Sequence, residues 1–557
     1  MRPATRISRA DWAIALVLLV AAVAVVALTC PSYGPTYDEP HYASAGIRYA
    51  EWWGRAVRGD GSALSRAGIE AAWRFNHEHP PLQKTASGIS QALLGRALPG
   101  LTAMRLPSAV WYALVVSALF LFLLPVWGRG GALFSALALA TLPRFFAHAH
   151  FVALDMPIAC WFFLTAALTA VALERDSWRW AALAGVAFGL ALGSKVNGFF
   201  LPFLLLPWAL IWHRPRWPKL LGVLLLGPAV FFLSWPWLWI EPVAHFHEYF
   251  AFHFRHAAYN VWYLGHLYQY APWHYPFVIT AVTTPALVLV AALAGIPGCW
   301  PRRGVDPRQA LLLLGLAVAI LPSALPGSPK YNGERLFLPA FPFLAALAGG
   351  GFAWMQEGMA RATAGKTEDA RVGALATFGL AVLILTSGVR GTVNLHPYQL
   401  AYYNELVGGT WGATKRGFET IYWGQVFQEG AGLLSYLPQQ NPRVLVIPKG
   451  VIYLLEFQQK AGSLRGDIRF TGEEREAAQM DGVMFQWMES DFTDLCWELV
   501  NGKAEPVHAV VAGDAPLLTV YDHAAVAAAL ERLETKQATP KASNIPSASS
   551  DTNSPTR

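Results

Sequence analysis

Long apolar blocks recur along this chain, and they limit its fold more than any other feature. A membrane-spanning helix needs about 20 consecutive apolar residues. Runs of that kind lie at 12–30, 106–127, 131–147, 157–173, 180–195, 198–212, 218–240, 276–297, 309–325, 335–354 and 372–390. In lipid, backbone polar groups are satisfied only within helices or closed barrels, and blocks this long read as helices. The expected fold is a polytopic α-helical membrane protein of about eleven transmembrane helices. Charged residues make up only 14% of the 557, against roughly 25% in soluble domains. The net charge of +6 is small for the length. Loop arginines account for it, so no nucleic-acid partner is expected. Cys30, Cys160, Cys299 and Cys496 are scattered and imply neither a metal site nor a disulfide framework. The first block follows Arg2, Arg6 and Arg9, as a signal peptide would. No small-x-small cleavage site precedes Pro31, and further spans follow, so an uncleaved first helix is expected.

Charge placement fixes the expected topology. The block 80–104 has Ser87, Ser90, Gln91 and Arg96 among its apolar residues, and reads as an interfacial amphipathic helix. With it outside, one side of the membrane receives Arg2, Arg6, Arg9, Arg129, Arg175, Arg179, Arg214, Arg216 and Lys219. The same side receives Arg302, Arg303, Arg308, Arg361, Lys366 and Arg371. The short loops of the other side carry only Lys195, Arg255 and Lys330. This is a strong positive-inside asymmetry, and counting 80–104 as a span would destroy it. The N-terminus is therefore expected in the cytoplasm. Asp38, Asp155, the aromatic stretch 241–275 and the C-terminal region fall together on the periplasmic face of a bacterial inner membrane. The stretch 241–275, crowded with Tyr, Trp, Phe and His, reads as a membrane-lying roof over the bundle.

The transmembrane domain is expected to cover 1–394, with 31–105 as a long first outer loop. Residues 395–534 read as a small α/β soluble domain, with strands at 443–448, 483–487 and 508–512 and a helix at 430–437. From 535 to 557 the chain is rich in Ser, Thr, Pro, Asn and Lys and reads as a disordered tail.

The residues suited to chemistry gather at the outer face. Asp38 and Glu39 follow the first span directly. One reading makes them first-turn decoration of a helix capped by Thr36, with Pro40 tolerated there. The other holds a carboxylate at the membrane face to take a proton from an attacking hydroxyl. Asp155, in a very short outer loop, is either solvated or a partner in the same site. His77, Glu78 and His79 form a weak metal pattern, because zinc sites usually take three or four protein ligands. No metal and no cofactor are therefore expected. Lys84, Arg105, Lys195 and Arg335 are snorkelling anchors or, if the substrate is a phosphate-bearing lipid, phosphate ligands. The spans are nearly free of ionisable groups, whereas proton-coupled transporters carry them at mid-membrane. An interfacial enzyme is favoured, with a transporter or flippase of a lipid-linked saccharide as the alternative.

The motifs resemble the glycosyltransferase C superfamily, in particular the bacterial relatives of protein O-mannosyltransferases and of lipid A aminoarabinose transferase. Carrying the resemblance are Tyr37-Asp38-Glu39-x-x-Tyr42 after the first span and His79-Pro80-Pro81-Leu82 late in the first outer loop. Leu154-Asp155, Gly193-Ser194-Lys195 and Arg335-Leu336-Phe337-Leu338-Pro339 follow in order. The run from His396 to Asn404 and Tyr422-Trp423-Gly424 extend it, so that it covers roughly 10–430. The resemblance implies a polyprenyl-phosphate-sugar donor, a hydroxyl acceptor on protein, lipid or glycan, and displacement with inversion on the outer face. It implies Asp38 as base, Glu39 as a neighbouring carboxylate and Asp155 as a second acid. Lys84, Lys195 and Arg335 are the residues it offers for the donor phosphate, and Tyr42 and His79 for the acceptor or substrate pocket.

Overall fold

A capping box starts the first helix. Ser8 takes the amide of Asp11 on its side chain, and the Asp11 carboxylate takes the amide of Ser8 in return. The helix Arg9–Thr29 is apolar all round and leaves most of that surface unburied by protein, as a lipid-facing span requires. The computed structural model describes residues 7–255, 259–300, 304–362, 367–434, 437–460 and 462–538. Among them six helices are long and apolar enough to cross a membrane: Arg9–Ser32, Thr102–Ala140, Asp155–Glu174, Arg214–Ser234, Pro307–Ala324 and Arg371–Asn394. Shorter apolar helices cover Trp178–Leu192, Val196–Trp212 and Ala286–Cys299, and Ala340–Ala362 is a further helix of mainly apolar residues. The polytopic helical class expected from the sequence is the one found.

Several expected spans are corrected in detail. Helical conformation runs from Thr102 to Ala140 except at Gly128, where φ is 71° and ψ 179°. Tyr112 Oη donates to the Ala140 carbonyl at 2.7 Å. A straight helix would hold those residues about 42 Å apart, so the chain doubles back at Gly128, which has no Cβ to oppose a positive φ. The returning arm stops at Ala140, and Pro143–His148 is a separate short helix. Thr284-Pro285 splits 276–297 into Tyr275–Thr283 and Ala286–Cys299, because proline disfavours helix at its own and the preceding position. The block expected from 335 becomes α-helical only at Ala340. Arg335–Phe337 is a 3-10 turn, which carries Arg335 ahead of the α-helix at the mouth of the bundle.

Polar ties sort the loops into two ends. At one end Arg129 pairs with Asp11 at 2.8 Å, Lys219 with Asp176 at 2.6 Å, and Arg308 with Glu174. At the other, Ser108 Oγ donates to the Phe151 carbonyl at 2.6 Å, the Leu82 amide to the Gly193 carbonyl at 2.9 Å, and Asn197 Nδ2 to the Leu336 carbonyl at 2.9 Å. Arg129, Lys219 and Arg308 thus sit at one end, and Asp38, Asp155, Lys195 and Arg335 at the other. Residues 80–104 contribute the helix Leu82–Leu94, which packs on Glu39–Val57. A Cβ on Gly88 would lie 1.9 Å from the Gly46 carbonyl oxygen, so these two glycines let the backbones touch.

The stretch 241–275 is not one roofing element. Pro242–Phe254 is a helix, while β1 (Val261–Tyr263) and β2 (His266–Tyr268) form an antiparallel hairpin. Tyr263 bridges to Phe418 and the Gly265 amide donates to the Gly417 carbonyl, so this second half belongs with the C-terminal part.

That part contains β3 (Arg443–Ile447), β4 (Arg469–Thr471), β5 (Gly482–Gln486), β6 (His508–Ala512) and β7 (Ala515–Asp522), in the order β4-β3-β5-β7-β6. β3 runs parallel to β4 and β5, and β5, β7 and β6 are antiparallel in turn. Three of these strands were expected; β4 and β7 were not. Side chains alternate across the sheet: Val444 and Val446 pack with Phe427 and Leu454, and Leu445 and Ile447 with Leu495 and Val526. The helix expected at 430–437 is Phe427–Leu434. Residues 535–538 close the helix His523–Ala538, and the rest of the expected tail, 539–557, lies outside the described residues.

Candidate active site

A cavity of about 500 Å³ opens at the bundle end that holds the acids, between the helices and the C-terminal sheet unit. Asp38, Asp155, Lys195 and Arg335 line it from the bundle. Residues far apart in the chain thus converge, and Arg335 joins them. Its Nη2 donates to Asp38 Oδ2 at 2.7 Å and its Nε to Asp155 Oδ2 at 3.2 Å. Lys195 Nζ donates to the other Asp155 oxygen at 2.6 Å. Asp155 opens the helix Asp155–Glu174, where the helix dipole favours its negative charge.

The two acids differ in access. The Asp155 side chain is 1% exposed and both its oxygens are taken by cations. Asp38 is 24% exposed, and its bonds, from Arg335 and from Trp423 Nε1 at 2.8 Å, both fall on Oδ2. No donor among the described residues reaches Oδ1, so one carboxylate oxygen of Asp38 is left open. It is the N-cap of Glu39–Val57 but bonds no helix amide with its side chain. Thr36, expected as the cap, has its hydroxyl buried without a partner, and its amide donates to Glu39 Oε2 at 3.0 Å.

Glu39 does not line the cavity. It is buried in a bidentate pair with Arg105, at 2.8 Å to Nε and 2.7 Å to Nη2. It also takes the Val152 amide at 2.9 Å. Arg105 in turn donates to the carbonyls of Cys30, Tyr33 and Gly34. Each buried charge here is matched, as stability demands. The pair fixes the end of the first span, Asp38 and the 151–155 loop to one another. The expectation that Glu39 is a site carboxylate is corrected to a structural placement, and Arg105 is likewise no free anchor.

Tyr42 and His79 do face the cavity, edge to face with ring centres 5.8 Å apart. Lys84 does not. It is wholly buried, and its Nζ donates to the Asn76 carbonyl at 2.6 Å, Asn76 Oδ1 at 3.0 Å and the His79 carbonyl at 2.8 Å. Three acceptors use all three ammonium protons. Burial pushes the group down to about 7. Lys84 therefore braces the backbone of His79 instead of reaching a ligand. His77 turns away to Glu248 at 2.9 Å, so the two histidines of the His-x-His pattern do not converge.

The C-terminal part contributes site residues that residue type alone does not mark. Trp423 lies under the Arg335 guanidinium at 4.0 Å and donates to Asp38, with a positive φ of 80° followed by Gly424 at 81°. That Trp-Gly pair was the available signal. Tyr37 takes Asn332 Nδ2 on its hydroxyl at 2.5 Å, and Tyr453 donates to the Tyr37 carbonyl. Glu334, next to Arg335, is buried against Arg144 at 2.9 Å, and Tyr422 donates to its other oxygen at 3.1 Å. This second buried pair anchors the turn that presents Arg335.

Residues 78–240 match the model of the family described as dolichyl-phosphate-mannose-protein mannosyltransferase. No curated protein sequence matches the chain. Among solved structures, ArnT from Cupriavidus metallidurans in the apo state is similar at 17% identity, over 92% of this chain and 98% of that one, with a TM-score of 0.48. The Saccharomyces cerevisiae protein O-mannosyltransferase Pmt1–Pmt2 complex bound to the sugar donor matches at 20% identity, over 45% of this chain and 34% of that one, TM-score 0.30. The Archaeoglobus fulgidus oligosaccharyltransferase complex with Zn and sulfate matches at 12% identity, over 84% and 68%, TM-score 0.42. The resemblance to mannosyltransferase-type membrane glycosyltransferases thus holds over the segment that carries Lys84, Arg105, Asp155 and Lys195.

Proposed function

We propose that this chain is an integral-membrane glycosyltransferase that moves a sugar from a polyprenyl-phosphate-linked donor to a hydroxyl acceptor, with inversion, at the outer membrane face. The observation that carries the reading is the Asp38–Arg335–Asp155–Lys195 constellation in one cavity at the end of an apolar bundle. Asp38 Oδ1 takes the proton of the acceptor hydroxyl. The acceptor oxygen bonds the anomeric carbon from the face opposite the leaving group. The bond from that carbon to the phosphate oxygen breaks, and its electron pair leaves with the polyprenyl phosphate. Phosphate is already a good leaving group, so no general acid is needed, and Lys195 and Arg335 stabilise its growing charge. Asp155 holds those two cations in place between turnovers. Neither Lys84 nor Glu39 touches a ligand in this scheme. The lipid tail stays in the bilayer while its phosphate meets the cations at the mouth.

The test is consumption of polyprenyl-phosphate sugars by the purified protein in detergent, without any gradient, with the product's anomeric configuration read by NMR. Inverted glycoside or released inverted sugar is expected. A protein that consumes no donor in detergent but moves lipid-linked saccharide across sealed vesicles would overturn the reading in favour of a flippase.

A further inference from the structure

The cavity has a wall whose chemistry the reaction above leaves unused. Gln486, Met488 and Asp491 build it from the end of β5 and the turn beyond, with Tyr453 from the helix Ile452–Lys460. Two groups on it lack partners. The Gln486 residue is 2% exposed, and its Oε1 is buried with no hydrogen bond among the described residues. Its backbone is committed to Leu518 across the sheet and to the Met488 amide, and its Nε2 faces the Ile421 carbonyl. Asp491 bonds through its amide to the Met488 carbonyl, while its carboxylate meets no donor among the described residues. Burial alone pushes that carboxyl up to about 6. A buried acceptor without a donor is costly, so this wall is built for a group that arrives with donors.

The unmatched functions are all acceptors: the Asp491 carboxylate, the Gln486 amide oxygen, and the Tyr453 phenol oxygen, whose proton is given to the Tyr37 carbonyl. An ionised phosphate or carboxylate offers acceptors only and does not match this wall. A polyol does. The cavity volume of about 500 Å³ falls within the usual range for small-molecule sites. We propose that Gln486 and Asp491 form a hydroxyl-binding subsite for a saccharide unit, so that the C-terminal sheet unit selects which sugar-bearing group enters. The inference rests on the glycosyl-transfer reading of the same cavity. The saccharide is either the donor's sugar or a sugar on the acceptor.

The test uses the full-length protein in detergent and a panel of methyl glycosides as probes, with binding read by saturation-transfer NMR. At least one glycoside binds the wild type. Gln486→Leu and Asp491→Ala each weaken it about tenfold, the scale of one hydrogen bond to a charged or buried group. A deoxy analogue lacking the recognised hydroxyl binds as weakly as the variants and is insensitive to the substitutions. If the unit is the donor's sugar, the KM for sugar release from polyprenyl-phosphate mannose to water rises in parallel. If it belongs to the acceptor, that KM stays and the KM for a saccharide acceptor rises. No glycoside binding by wild type, or unchanged binding in folded variants, overturns the subsite. Loss of the glycosyl-transfer reading would show instead as no donor consumption with glycoside binding intact, so the two failures are distinct.

Discussion

Arg335 Nη2 lies 2.7 Å from Asp38 Oδ2, although 297 positions separate the two residues. Through its Nε the same guanidinium also holds Asp155, and Trp423 packs on its face. A planar fork with separate donors can serve two carboxylates at once, which an ammonium on a flexible stem cannot do in fixed geometry. Asp38 is thereby aimed through one oxygen while the other stays open.

Arg335→Lys is expected to insert and fold, because the charge is kept, but to lower transfer by about 10²–10³-fold, as loss of an oriented cationic donor does. Turnover of purified variant and wild type on the same polyprenyl-phosphate sugar measures this. A lysine variant working at wild-type rate would show that the bridge has no part in the chemistry.

The adjacent carboxylates should behave in opposite ways. Asp38→Asn is nearly isosteric and keeps the oxygen that Arg335 and Trp423 bond. It should fold normally and lose about 10²–10⁴-fold in transfer, the usual contribution of a general base. Glu39→Gln strands the buried Arg105 and should cost about 3–5 kcal/mol of stability. It would appear as poor recovery and a lowered unfolding temperature. Thermal unfolding followed by tryptophan fluorescence separates the two. Equal stability loss in both variants would contradict the division into an open acid and a sealed one.

Much of this arrangement was legible beforehand, and the parts that were not share a cause. Apolar block length marked the membrane class, because it reflects what lipid tolerates, but not where Gly128 and Pro285 break the blocks or which helices are long enough to span. Asp38, Asp155, Lys195 and Arg335 stood out because charge beside apolar blocks is rare. Lys84 and Glu39 stood out for the same reason, yet their partners are main-chain groups, the Asn76 side chain and the distant Arg105. Main-chain acceptors have no signature in residue type. Trp423 and Gln486 were missed as site residues because their significance lies in tertiary contact with 38, 335 and the cavity, and no local period encodes that.

The burial of Glu419 and Glu489 makes stability depend on pH. Burial pushes Glu419 up to about 8, aided by the neighbouring Glu489 charge, and pushes Glu489 up to about 7, from an ordinary 4.5. The folded protein therefore holds protons that the unfolded chain releases above 4.5. Stability from this pair is full below that pH and falls as pH rises through about 7–8. Glu419→Gln removes the larger share. Its apparent Tm relative to wild type should be more favourable at pH 8 than at pH 5, in the full-length protein in detergent. A difference that does not change with pH would mean that these carboxyls titrate as in solvent.

Thiol labelling reads which end of the bundle faces out. The four cysteines are all buried, so an impermeant thiol reagent should find little background on the native chain. Ser62 is exposed in the first long loop, at the end of the bundle that holds Asp38, and Arg175 is exposed at the opposite end beside the Lys219–Asp176 pair. The positive-inside pattern puts Arg175 in the cytoplasm. Ser62→Cys should therefore react in intact cells, and Arg175→Cys only after the membrane is opened. The reverse labelling would place the cavity on the cytoplasmic side, where the loop arginines would then face outward, and the outer-face assignment of the reaction would fall with it.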